Sequence, residues 1–102
     1  MSKIETFKND RIDFDMFAGA MIFIAFKRKF GVSINNHLAK DSSDVEALSF
    51  IIFEAYKSAC YLKNAETKHS IEDIMNRLDL FELLECFYLL FPSEDQKKTK
   101  VK

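Results

Sequence analysis

The chain has 102 residues, fifteen Lys and Arg against sixteen Asp and Glu, and 48% hydrophobic side chains. That balance excludes a disordered chain and supplies no concentrated basic field for nucleic acid, while the length suits one domain with one core. Eleven Phe beside two Gly, one Pro and no Trp are more rings than a single small core readily encloses, which directs attention to binding.

Taken in chain order, a weak alternation through Ile4, Thr6, Phe7, Ile12 and Phe14 around Asn9-Asp10 admits a small N-terminal hairpin. From about Asp15 to Phe30 the spacing predicts a helix stopped by Gly31. In projection Phe14, Phe17, Ala20, Met21 and Ile24 share one face, and Phe23, Phe26 and Phe30 share a second. A helix apolar on two sides is central to a fold or clasped by another chain. Lys27, Arg28 and Lys29 in its last turns match the negative end of the helix dipole. Ser33 is the predicted N-cap of a short helix running to Ala39.

Ser43 with Glu46 has capping-box spacing and opens a long helix from Asp44 to about Leu62. Its expected core stripe is Val45, Leu48, Ile51, Ile52, Ala55, Tyr56, Ala59 and Leu62. The opposite side interleaves Phe50, Phe53 and Tyr61 with Glu46, Glu54 and Lys57. After a polar loop over 63–69, Ser70 with Asp73 caps a helix from Ile71 to Leu78. Asp79 with Glu82 then opens a last helix from Leu80 to Phe91, expected to bury Leu80, Leu83, Leu84, Phe87 and Phe91. One merged helix over 71–91 is the alternative. Pro92 follows, and the lysine-rich run 93–102 reads as a disordered tail. The expected fold is all-α: one domain over 1–92, a small bundle of four to five helices, with room for a short N-terminal β-hairpin.

No residue pattern points to catalysis, a metal or a cofactor. His37 and His69 lie at no zinc spacing from Cys60 or Cys86, both of which sit in apolar runs and read as free buried thiols. Gly19 and Gly31 make no phosphate loop. A helix-turn-helix would need Arg, Lys, Asn or Gln on its second helix, where Ile71–Leu78 offers Asn76 and Arg77 beside Glu72 and Asp73. Met1 leads directly into Ser2-Lys3-Ile4-Glu5 without an apolar leader. The longest uncharged run, Met16 to Phe26, would span about 16 Å as a helix against a bilayer core of about 30 Å. A cytoplasmic protein, neither membrane-bound nor an enzyme, is expected.

The residues expected to meet a partner are Phe23, Phe26, Phe30, Phe50, Phe53, Tyr61 and Leu89, the aromatic and aliphatic side chains left over once one core is filled. Burial of each ring is worth roughly 2–3 kcal/mol, so three or four at an interface would sustain a specific complex.

The order of segments resembles the tail assembly chaperones of long-tailed bacteriophages and prophages. The resemblance runs over about residues 14–91. It is carried by the aromatic-led helix FDMFAGAMIFIAFKRKFG (14–31), VSINNHLAK, the acidic-capped SSDVEALSFIIFEAYKSAC (42–60) and HSIEDIMNRLD (69–79) before a Leu- and Phe-rich helix. It implies a mostly helical protein that coats the hydrophobic tape-measure protein until tail-tube subunits displace it, and that forms homo-oligomers. In many relatives a frameshift near the C-terminus appends a second domain. This chain departs from common forms in its many phenylalanines and its lack of tryptophan. A small helical DNA-binding regulator, or another protein-interaction subunit, is the alternative reading of the same residues.

Overall fold

The computed structural model describes residues 3–92. Two short strands, β1 (Glu5–Lys8) and β2 (Asp13–Met16), precede five helices. These are α1 (Ala20–Phe30), α2 (Ile34–Lys40), α3 (Val45–Leu62), α4 (Ile71–Arg77) and α5 (Leu80–Leu90). The fold is therefore mostly helical with an antiparallel hairpin, rather than all-α. The tail over 93–102 lies outside the described residues.

The hairpin forms because Phe7, Phe14 and Met16 alternate with polar residues and bury one face, in the register Phe7↔Phe14 and Thr6↔Asp15. Its turn is held by Asn9, whose Oδ1 accepts from the backbone N–H groups of Arg11 and Ile12, both at 2.8 Å. Asparagine does this more readily than most residues because its short amide mimics a backbone turn. The strand corrects the expected start of the first helix. Phe14 and Phe17 precede α1, which begins at Ala20.

Burial on α1 follows neither projected face as a whole. Ile22 and Phe26 face the core, whereas Met21, Ile24 and Phe23 are largely exposed. Gly31 ends the helix at φ 78°, a left-handed conformation that glycine adopts without Cβ strain.

α3 is the central element, packing against β2, α1, α4 and α5. Small residues let the chain come close to it. The Phe17 amide donates to the Ala55 carbonyl at 3.0 Å, and Gly19 lies beside Ser58. The core stripe is buried from Leu48 through Ala59, but Val45 and Leu62 at its two ends are exposed, because α3 outruns the elements covering it. Its N-cap is Asp44 rather than Ser43: the carboxylate accepts from the Glu46 and Ala47 amides at 3.1 and 3.3 Å. At the other end Asn64 takes φ 54°, and Ala65 donates to the Cys60 carbonyl while Asn64 donates to Tyr61, a Schellman closure.

Ser33 caps α2, and the Ser70–Asp73 and Asp79–Glu82 boxes are both complete, so α4 and α5 are separate helices. α5 buries Leu83, Cys86 and Leu90, with Leu84, Phe87, Leu89 and Phe91 half-buried around them; Leu80 stays outside. Both cysteines are free and buried. Burial in the core, followed by the negative charges of Glu85 and Glu82, pushes the Cys86 thiol up to about 12.

Candidate partner-binding surface

The residues expected to meet a partner fall into three groups. Phe26 is at 0% exposure and belongs to the core of the isolated chain, which corrects its assignment to the surface. Phe30, Phe50, Phe53 and Leu89 are partly buried and packed against that core. Tyr61, at 83% exposure, and Phe23, at 49%, remain open to solvent.

The reason lies in a ring cluster that joins three helices. Phe26 stacks on Phe30 at 4.3 Å between centroids, and both meet Phe50 edge-on at 6.2 and 5.7 Å. His37 of α2 packs against the same two phenylalanines at 5.6 and 5.2 Å, and its Nε2 is 2.7 Å from Asp44 Oδ2. α1 thus covers Phe50 on the aromatic side of α3, and α2 closes over the α1 rings through His37. The His37 hydrogen bond, with lesser help from the Ala47 and Glu46 amides, holds the Asp44 carboxyl below its ordinary value against the opposing effect of burial. Phe53 is shielded differently: it lies beside Tyr56, and Lys57 sits 4.9 Å over its ring.

What stays uncovered is a groove of about 530 Å³ between the start of α1 and the C-terminal half of α3. Phe17, Ala20, Met21, Ser58, Tyr61 and Leu62 line it with Gly19, Glu54 and Lys57. The one acid and one base in the lining satisfy each other, Lys57 Nζ lying 2.8 Å from Glu54 Oε2. The groove therefore presents apolar surface without an unpaired charge. Met21 and Tyr61, at 53% and 83% exposure, stand at its edges, and the volume matches clefts that take a few side chains.

Sequence reasoning identified Tyr61 here but assigned Leu62 to the core and left Phe17 and Met21 without a role. The groove arises where the β2–α1 crossing meets α3, a contact between residues about forty positions apart. A second exposed group, Phe81 and Tyr88 on α5, was also missed. Its signal was present: Phe81 follows the Asp79 cap on the side of the helix shared with Glu85.

A smaller cleft of about 160 Å³ lies between the hairpin and the loop after α3, lined by Asp13, Asp15, Tyr56, Cys60, Lys63 and His69 among others. Two of its groups are held within the chain. Lys63 bridges to Asp15, and the Tyr56 hydroxyl accepts the Lys68 and His69 amides at 2.6 and 3.0 Å. Among the described residues no group of three His, Cys, Asp or Glu side chains is placed to hold a metal ion. No described helix is long and apolar enough to cross a membrane.

Comparisons with family models, with curated proteins and with solved structures find no match to this chain.

Proposed function

We propose that this chain is a non-enzymatic binding protein of the tail-assembly-chaperone kind. In this reading it works in the bacterial cytoplasm. It shields apolar helical segments of a tape-measure protein, and associates with itself, until tail-tube subunits take over the client. The observation that supports the reading best is the open groove between α1 and α3, with Met21, Tyr61 and Leu62 at its surface and its only charges paired to each other. Exposed apolar surface of this kind marks interaction sites, and an amphipathic helix laid in a groove is the common way to fill it.

The groove is modest, which fits a reversible grip. A chaperone must release its client, so many weak contacts along a long helix serve better than one tight lock. Tyr61 is the expected anchor, since an exposed ring buries a large area at little entropic cost.

The test is co-expression with a helical segment of a phage tape-measure protein. The wild-type chain is expected to keep that segment soluble and to co-purify with it. Tyr61→Glu and Met21→Glu should abolish both effects while leaving circular dichroism and Tm unchanged. A segment that stays insoluble with the wild-type chain, or is retained equally by folded groove variants, overturns the reading.

A further inference from the structure

The overall charge of −1 conceals a segregation. α1 and α2 carry Lys27, Arg28, Lys29 and Lys40 and no acid, whereas α4 and α5 carry Glu72, Asp73, Glu82 and Glu85 against the single Arg77. On each side the charges accompany an apolar stripe turned away from the core. The outer side of α1 presents Met21, Ile24 and Arg28, with Lys27 beside them; that of α5 presents Phe81, Glu85 and Tyr88. Each stripe runs over eight residues, a rise of about 10.5 Å between its ends, so the two are matched in length. Their charges are unspent. Asp73 and Glu82 are paired with Arg77 and Arg11, but among the described residues neither Arg28 nor Glu85 has an ion-pair partner.

We infer that the outer face of α1 docks on the outer face of α5 of a second copy. The contact sets Arg28 and Lys27 against Glu85, and Met21 and Ile24 against Phe81 and Tyr88. The charge complementarity names the occupant: each stripe lacks what the other supplies, and one chain bears both. α1 against α1 would oppose bases, and α5 against α5 would oppose acids. Because the joined patches differ, the contact is head-to-tail, and it generates a chain or ring of subunits rather than a closed two-fold dimer. Two turns of helix on each side bury less than a standard interface, so association is weak and concentration-dependent. The net charge near zero leaves little repulsion to oppose it. This contact rests on the self-association in the reading above but not on its client. Met21 belongs to both surfaces, but Arg28, Glu85 and Phe81 do not line the groove, so variants at those three residues let self-association fail while the groove stays intact.

The experiment is sedimentation velocity over a concentration series at low and high salt, on the full chain. The wild-type weight-average mass is expected to rise with concentration and to fall with salt. Lys27→Glu with Arg28→Glu makes both stripes acidic and Glu85→Arg makes both basic, so each variant alone should associate about tenfold more weakly. An equimolar mixture of the two should recover wild-type association, since every junction then joins opposite charges. Phe81→Ser, at a ring 80% exposed, should weaken association with no change of charge or fold. A wild-type chain that stays monomeric at every concentration overturns the inference. So does a mass unaffected by either reversal, or a mixture of folded variants that fails to recover.

Discussion

Arg11, in the turn of the N-terminal hairpin, donates through Nε to the carbonyl oxygen of Arg77, the last residue of α4, at 3.0 Å. Asn9 donates to the same carbonyl at 3.2 Å, and Arg11 also reaches Glu82 at 2.7 Å. The break between α4 and α5 leaves backbone carbonyls without helical partners, and the hairpin turn supplies donors for one of them. Chain segments 66 residues apart thereby fix the angle between two helices. Arg11→Ala should cost about 1 kcal/mol for the lost bond to that carbonyl. Amide exchange should quicken over 77–82 and stay unchanged in α1 and α2. Uniform acceleration throughout the chain would contradict this local role.

The ring cluster separates core from surface. Phe26→Ala removes a fully enclosed ring and should cost about 3–5 kcal/mol, read as a fall in denaturant midpoint. Phe50→Ser with Phe53→Ser should also destabilise strongly, since both rings pack on the core. Tyr61→Ser should stay within about 0.5 kcal/mol of wild type. Comparable losses for Phe26 and Tyr61 would show that the groove side is structural.

Acid pH acts on Asp44. Its carboxyl is held below the ordinary value of 3.8 by His37 and by the two amides it caps. A carboxyl with a lowered folded pKa contributes stability that is complete above 3.8 and disappears as pH falls through the folded value. Asp15, held down chiefly by its bond from Lys63, and Asp73 and Glu82, held down chiefly by the amides of Ser70 and Asp79, change in the same direction. The wild-type chain should therefore lose stability below about pH 4. Asp44→Asn, which still caps but carries no charge, should flatten part of that fall in a pH series of urea melts. An unchanged slope would remove Asp44 from the account.

Ser49 on α3 is fully buried, and among the described residues its hydroxyl has no hydrogen-bond partner. A buried polar atom left unpaired costs about 1–3 kcal/mol relative to a satisfied one. Ser49→Ala should accordingly be neutral or stabilising by up to about 1 kcal/mol. A clear destabilisation in chemical denaturation would mean that the hydroxyl is bonded in solution.

Local chemistry made much of this fold legible from residues alone. Gly31, Ser33 and the Ser70–Asp73 and Asp79–Glu82 boxes mark helix ends through bonds that span three or four positions, and each acts where its spacing says. The Asn9-Asp10 turn belongs to the same class. Errors arose where tertiary contacts decide. Phe14 and Phe17 continue the helical spacing of α1, yet Phe14 pairs with Phe7 in the hairpin and the Phe17 amide bonds to Ala55 of α3. Ser43 and Asp44 are adjacent candidates for one cap, and His37, seven residues upstream, accompanies the choice of Asp44. The aromatic side of α3 reads as free surface until α1 folds over Phe50. The groove is the complement of the same packing, visible once it is known which faces those helices cover.

The most direct measurement is isotope-edited NMR of the labelled chain with and without an unlabelled tape-measure segment, read through the contacts between labelled chain and unlabelled segment. The account predicts contacts from the segment to the Met21 methyl, the Tyr61 ring and the Leu62 methyls, and none to α4 or α5. Contacts confined to α4 and α5, or spectra unchanged by the segment, would contradict it.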